Sequence, residues 1–182
     1  MELMLLRVFQ RQIALQCKFL IFSAQEIERN LREHNVENTF YALQNFLNSG
    51  ANISKALWGQ AGSHSDERKQ LRDSIGVDDT SPLRKVTMRN NFEHFDERLD
   101  KWWKESIAHN HIDLIIGPKN TIAGPAEMDK FRHFDPTTGD MVFWGQEFNL
   151  KQILEEVQKV FPKLEAEANK PHWETAPQAP KA

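Results

Sequence analysis

The sequence predicts a mainly α-helical protein: an antiparallel bundle of four to five helices, with a small β-hairpin and strand element before a C-terminal helix. Three observations lead to this prediction. Apolar residues recur at three- and four-residue steps through most of the first 108 residues, as in amphipathic helices. Residues 109–148 instead carry short apolar runs separated by glycine, proline and aspartate, as in strands and turns. The helical spacing returns from about residue 149.

The length, charge and cysteine content of the chain restrict its class and its partners. A chain of 182 residues with 40% hydrophobic residues can bury one core, which favours a single domain over residues 1–169. Its net charge is −3, so any nucleic-acid contact must be local. Polar residues interrupt the apolar residues 1–22, which argues against a signal peptide or a membrane span. The single cysteine suits a reducing compartment, and we expect a cytoplasmic protein.

The first two helices are predicted to form an antiparallel hairpin. The first apolar stripe reaches about residue 33, and the second runs from Val36 to about Trp58. Gly50 and Ser54 lie on the apolar face of the second helix, where small side chains permit close approach of another helix. Cys17 lies on the first stripe, so we expect a small buried side chain rather than a nucleophile.

Two further helices are predicted before residue 109. A short helix over residues 66–75 has Ser65 as its cap. Ser81 followed by Pro82 is a helix start signal, and it predicts a helix over residues 81–108. Large apolar residues occur there at steps of four and three, so this helix is expected to pack in the core. They are Met88, Phe92, Phe95, Leu99 and Trp102.

The C-terminal half is predicted to contain strands and one more helix. Residues 112–116 form a short apolar run, and residues 131–134 and 141–144 flank a polar turn, which indicates a β-hairpin. Asn149 caps the last predicted helix, in which Pro162 is expected to bend or end the helix. The tail over residues 170–182 is rich in proline and alanine and is predicted to be disordered.

One short motif on the predicted fourth helix has residue types that suit catalysis. Arg89 and Asn90 are followed by His94, so that four residues separate the arginine from the histidine. A histidine exchanges protons near neutral pH, and a guanidinium can hold two phosphoryl oxygens through parallel hydrogen bonds. Asn90 and His94 are four residues apart and would share a helix face, so the amide can orient the imidazole or a phosphate.

This motif resembles the active-site motif of the HEPN superfamily, helical-bundle proteins many of which are metal-independent endoribonucleases. The wider stretch over residues 88–100 is also similar to a signature of uncharacterised bacterial members. The resemblance covers about residues 1–108, so the functions of residues 109–148 and 149–169 are not implied by it. It implies that His94 transfers a proton, Arg89 stabilises the phosphorane and Asn90 positions a reacting group. The product would be a 2′,3′-cyclic phosphate, and no metal or cofactor is required.

The resemblance also bears on the partners. At 100° per residue, Arg89 and His94 would flank the core stripe from opposite sides of one straight helix. HEPN-like proteins commonly form composite sites across a dyad, so the resemblance implies a homodimer. We expect this homodimer to act on RNA, and we expect neither DNA nor a membrane as a partner. A non-cleaving nucleotide- or protein-binding module, with a protein partner such as an antitoxin, remains the alternative. Acidic neighbours argue against cleavage, because unless neutralised they would repel a phosphate backbone: Glu93, Asp96, Glu97 and Asp100.

Other interpretations remain open for the same residue types. Residues 29–34 repeat the arrangement of Arg89, Asn90 and His94, but HEPN motifs lie on a late helix, which favours the second copy. Arg89 can instead pair with a glutamate four residues away on a solvated helix face. A third pattern, His109, His111 and Asp113, can ligate a metal, although a polar helix end leading into a strand is the preferred interpretation.

Overall fold

The protein is mainly helical, as the sequence predicted. A small four-stranded sheet precedes its C-terminal helix, where a β-hairpin and one further strand were expected. The structure is a computed structural model, and it describes residues 1–86, 92, 94–171 and 173. The helices within this range are α1 (Leu3–Arg32), α2 (Val36–Trp58), α3 (Lys69–Ile75), α4 (Phe95–Glu105) and α5 (Leu150–Ala168). The strands are β1 (Ile115–Ile116), β2 (Arg132–Asp135), β3 (Asp140–Phe143) and β4 (Gln146–Asn149).

The hairpin of α1 and α2 forms the centre of the fold. Asn35 caps α2, since its side chain accepts a hydrogen bond from the backbone N–H of Asn38 at 3.1 Å. Asn52 donates to Gln16 at 3.3 Å. These two residues lie equally far from the turn, one before it and one after it, so the two helices are antiparallel. A Cβ on Gly50 would lie 3.7 Å from Leu20 Cδ1. The predicted limits of both helices and the close approach at Gly50 are therefore confirmed.

The last helix, α5, packs along the N-terminal half of α1. Asn149 caps it as predicted, accepting from the backbone N–H of Gln152 at 3.0 Å. Pro162 does not end the helix, which continues to Ala168 because that residue and Leu164 are buried in the core. Packing of this apolar face compensates for the hydrogen bond that the proline removes.

The sheet has the strand order β1-β2-β3-β4, with β1 parallel to β2 and the other pairs antiparallel. The predicted hairpin is confirmed as β2 and β3, each displaced by one residue towards the turn. Of the predicted run 112–116, only Ile115 and Ile116 form a strand. Ile112 makes a separate, isolated bridge with Lys130. The strand β4 was not predicted from the sequence. It follows β3 through a two-residue turn in which Trp144 and Gly145 both have positive φ, at 53° and 74°.

The third helix begins later in the sequence than predicted. The α-helix starts at Lys69 rather than residue 66, and Ser65 is not its cap. Arg68 donates to the backbone oxygen of Ala56 at 3.0 Å, and Arg72 donates to that of Leu57 at 2.8 Å. These two arginines satisfy the free carbonyls at the end of α2, and this tertiary contact holds the preceding residues in turns.

The prediction of one continuous helix over residues 81–108 is wrong. Ser81 does act as a cap, but it begins a 3-10 turn, Pro82–Lys85, that ends at Val86 with φ −77° and ψ 87°. Val86 is buried with its side chain at Gly50, and this packing takes the chain out of the helical path. The helix α4 then covers Phe95–Glu105 only. Residues 87–91 and 93, including the predicted core residue Met88, lie outside the described residues.

The predicted core stripe of that helix is confirmed in part. Trp102 is buried, while Phe92, Phe95 and Leu99 are partly exposed. Within the described part of the chain, no helix is both long enough and apolar enough to cross a membrane.

Candidate active site

His94 is the predicted site residue whose position the structure describes. It is the residue directly before α4, with φ −111° and ψ 40°, and its side chain is 54% exposed. Arg89 and Asn90 lie outside the described residues. The chain therefore presents a half-exposed imidazole at the N-terminal end of an 11-residue helix.

A carboxylate lies beside the His94 ring. Nδ1 of His94 is 3.3 Å from Oε1 of Glu97, one helical turn further along the chain. This contact orients the imidazole, while the exposure of both side chains leaves the ring open to a molecule from solvent. Asp96 and Glu97 occupy the first turn of α4, where negative charge stabilises the free N–H groups of a helix.

The backbone at His94 corrects one geometric expectation. The opposed directions of Arg89 and His94 were calculated for a single straight helix through both residues. Because α4 begins only at Phe95 and His94 has non-helical dihedral angles, that calculation does not describe the imidazole. Whether Asn90 shares a helix face with His94 stays a prediction, because Asn90 lies outside the described residues. A composite site across two chains likewise stays a prediction, because Arg89 lies outside the described residues too.

The helix α4 is anchored at both ends to the region of residues 109–148. Before the helix, the ring of Phe92 lies 4.9 Å from that of Phe143 in β3. Near its end, the indole N–H of Trp102 donates to Asp129 at 2.9 Å, and Ser106 donates to the same carboxylate oxygen at 2.6 Å. The sheet region therefore positions the helix that follows His94.

Asp129 is a positioning residue that was not predicted from the sequence. Its side chain is buried, with 1% of the residue exposed. The hydrogen bond from Ser106, with a further one from Trp102, outweighs the penalty of burial and lowers the pKa of Asp129. The sequence holds no local signal for this contact, because Trp102 and Asp129 are 27 positions apart.

The earlier copy of the motif, at residues 29–34, serves the end of α1. Arg29 pairs with Glu26 at 2.5 Å on the surface. Asn30 is 2% exposed and donates to the backbone oxygen of Glu26 at 2.7 Å. His34 has φ 55° in the turn to α2. Arg29 and Asn30 therefore have structural roles, and the exposed His34 lies in the turn between the two helices.

The third pattern is likewise held by structural contacts. Nε2 of His109 lies 3.0 Å from the backbone oxygen of Trp103. The carboxylate of Asp113 accepts two hydrogen bonds from Arg132, one of them at 2.8 Å. Among residues 1–86, 92, 94–171 and 173, no three His, Cys, Asp or Glu side chains are grouped closely enough to hold a metal ion.

Comparison with known proteins yields no relative: no family model, no curated protein and no solved structure matches the chain. A functional assignment therefore rests on the residues and geometry described above.

Proposed function

We propose that the protein is a cytoplasmic, metal-independent endoribonuclease of the HEPN type, built on a helical bundle and acting as a homodimer. The observation that supports this best is the half-exposed His94 at the start of α4, in a sequence where Arg89 and Asn90 precede it. An exposed imidazole beside a carboxylate is suited to accept and return a proton during phosphoryl transfer.

In the proposed reaction, the ribose 2′-hydroxyl attacks the adjacent phosphorus. The 2′-oxygen loses its proton and the bond from phosphorus to the 5′-oxygen breaks, which leaves a 2′,3′-cyclic phosphate and a free 5′-hydroxyl. His94 transfers a proton in this exchange, either from the 2′-hydroxyl or to the leaving oxygen. Arg89 holds the non-bridging oxygens as negative charge accumulates on them, and Asn90 orients the phosphate or the imidazole.

The first test compares RNA cleavage by the wild type and by His94→Ala, with EDTA present in every reaction. His34→Ala is the matched control, because His34 has the same place in the other copy of the motif and is also exposed. We expect His94→Ala to lower the rate by about 10²- to 10⁴-fold, the usual contribution of a proton-transfer group. His34→Ala should cleave like the wild type. Equal cleavage by the wild type and His94→Ala, or no cleavage of any RNA by the wild type, would contradict the proposal.

A composite site makes a separate prediction. If each site takes Arg89 from one chain and His94 from the other, a mixed dimer of Arg89→Ala and His94→Ala chains has one intact site of two. Random mixing of the two inactive variants should then restore about a quarter of the wild-type activity. A mixture that stays inactive, although exchange of subunits is verified, would show that each chain supplies a whole site.

The first turn of α4 favours one alternative, a non-cleaving module that binds a nucleotide or a protein such as an antitoxin. The exposed carboxylates of Asp96 and Glu97 would repel RNA but would attract a basic protein surface. Glu97→Gln separates the two functions. An endoribonuclease should bind RNA more tightly after the change, whereas a module that binds a basic partner should bind that partner more weakly. Equilibrium binding at fixed ionic strength measures both affinities.

A further inference from the structure

Helix α1 carries a second apolar stripe on the side that faces away from the core. The stripe contains six of the eleven large hydrophobic side chains that are exposed among the described residues. We name it the α1 ridge, and it consists of Met4, Leu5, Val8, Leu15, Phe19 and Phe22, between 41% and 64% exposed. At 100° per residue these side chains fall within an arc of about 100°. The buried residues of α1, such as Ile13 and Leu20, lie on the opposite side of the helix.

The spacing along the ridge is that of a coiled-coil seam. Leu5 and Phe19 lie in one row of positions seven residues apart, with Gln12 between them. Val8, Leu15 and Phe22 form the second row with the same spacing. Two rows offset by three and four residues allow side chains of one helix to insert between those of a facing helix. The ridge is therefore arranged to pack against another helix.

We propose that the α1 ridge is a homodimer interface, in which it packs antiparallel against the same ridge of a second copy of this chain. The distribution of side-chain size along the ridge supports a second copy as the occupant. The bulky Phe19 and Phe22 lie at one end, and the smaller Leu5 and Val8 lie at the other. An antiparallel pair places large side chains against smaller ones at both ends. A parallel pair would instead crowd four phenylalanines together and leave the other end loosely packed.

The area of the ridge is close to what a stable dimer needs. With roughly 200 Å² for a whole large side chain, the exposed fractions amount to about 600 Å² of apolar surface on each protomer. A typical stable interface buries about 800 Å² per partner, including its polar rim. An apolar patch of this size is also at the upper end for a monomer in water, which favours its burial.

A groove beside the ridge provides space for side chains of the second copy. It lies between α1 and α2, has a volume of about 440 Å³, and is lined in part by Phe19, Phe22 and Tyr41. Tyr41 is 70% exposed, so it extends the apolar surface across the groove. In the antiparallel arrangement, Met4 and Leu5 of the second copy lie next to this groove.

The cations on one flank of the ridge already have partners within the chain. Lys18 pairs with Glu165 at 2.8 Å, and Arg11 donates to the backbone oxygen of Ala168 at 3.0 Å. These contacts with α5 offset the positive charges that two antiparallel copies bring near each other. The interface does not depend on RNA cleavage.

Sedimentation of the full chain without RNA tests the proposal. The wild type should be a dimer at micromolar concentrations. Leu15→Glu should weaken the dimer by about 100-fold or more, because two carboxylates then lie close to the dyad in an apolar interface. Ile107→Glu is the matched control, since Ile107 is a 99% exposed apolar residue away from the ridge, and it should leave the dimer intact. Helical circular dichroism verifies that both variants are folded.

Disulfide crosslinking tests the orientation. A mixture of Leu5→Cys and Phe22→Cys chains should form mixed crosslinked dimers under mild oxidation, while Leu5→Cys alone should not crosslink. The native Cys17 is buried and does not interfere. A monomeric wild type, a dimer that persists in Leu15→Glu, or efficient crosslinking of Leu5→Cys to itself would overturn the proposal. If Leu15→Glu is monomeric and still cleaves RNA, the interface stands and the composite site fails.

Discussion

The buried Arg7 joins α1 to α5, and its replacement should lower the stability of the protein. Its Nη1 donates to Gln10 at 2.8 Å, to the backbone oxygen of Glu167 at 2.9 Å and to the carboxylate of Glu167 at 2.8 Å. The Arg7 side chain is only 5% exposed, whereas that of Glu167 is 21% exposed. Arg7→Met keeps the apolar volume of the stem and removes the charge and all three hydrogen bonds.

The structure sets the expected loss of stability. Removing one partner of a buried ion pair typically costs about 3 to 5 kcal/mol. We expect the lower end, about 3 kcal/mol, because Glu167 is partly exposed and keeps its pairing with Lys170 at 2.5 Å. In a chain of this length, 1 kcal/mol corresponds to a shift in Tm of about 2 to 4 °C, so Arg7→Met should lower Tm by roughly 9 °C.

The effect of Arg7→Met should depend on pH in a definite direction. Burial opposes ionisation of Glu167, but hydrogen bonds from Lys170 and Arg7 outweigh it and lower the pKa of Glu167. A lowered pKa stabilises the folded state above the unfolded pKa of about 4.3, and that stability is lost as the pH falls through the folded pKa. The difference between the wild type and Arg7→Met should therefore be largest near pH 7 and smaller near pH 3.

Urea unfolding followed by circular dichroism at both pH values measures the change in the free energy of unfolding. Lys18→Met is the matched control, since Lys18 also joins α1 to α5 but its pair with Glu165 is exposed, with side chains 57% and 43% accessible. That variant should lose less than about 1 kcal/mol. The reasoning is refuted if Arg7→Met is no more destabilising than Lys18→Met, or if its effect is the same at pH 3 and pH 7.

Three further predictions concern the core and the anchor of α4. Burial raises the pKa of the Cys17 thiol to about 12, so Cys17 should resist a thiol reagent at pH 8 and react fully in denaturant; rapid labelling of the folded protein would contradict this. A Cβ at Gly50 would lie 3.2 Å from Val86 Cγ1, so Gly50→Leu should lower the free energy of unfolding by about 1 to 3 kcal/mol in urea titrations. Because the pKa of Asp129 is lowered, its ionised carboxylate stabilises the folded state. Asp129→Asn should therefore lower the free energy of unfolding near pH 7, and progressively less as the pH falls below about 4. A loss of stability that does not change with pH would show that this stabilisation does not depend on an ionised Asp129.

The sequence predicted the elements whose signals are local. The long stripes of α1 and α2 gave correct limits because each helix has one continuous buried face. Asn149 was predicted as a cap, since an asparagine side chain can satisfy a free N–H at a helix start. Asn35 has the same role at the start of α2, but it was not predicted from the sequence.

The predictions of helix limits are wrong where tertiary contacts override local sequence signals. Ser81 and Pro82 start a helical turn, but burial of Val86 beside Gly50 ends it, so the predicted long helix is interrupted. The start of α3 depends on Arg68 and Arg72, which bind carbonyls of the preceding helix. Side-chain pattern alone does not contain these contacts.

The candidate site was only partly predictable for the same reason. The residue types of Arg89, Asn90 and His94 are visible in the sequence, but the position of His94 just before α4 depends on where that helix begins. The anchor between Trp102 and Asp129 joins distant parts of the chain. The α1 ridge became distinguishable only when the packing showed which apolar residues of α1 face the core.

The most direct test of the central claim uses two RNA oligonucleotides that differ at one atom. The first is all-ribose and the second carries a 2′-deoxyribose at the nucleotide where the first is cleaved, and both are incubated with the wild-type protein and EDTA. An endoribonuclease that uses the 2′-hydroxyl should cleave only the first, and mass spectrometry should find a 2′,3′-cyclic phosphate on the product. Cleavage of both oligonucleotides at that position, or a product with a 5′-phosphate, would contradict the proposed function.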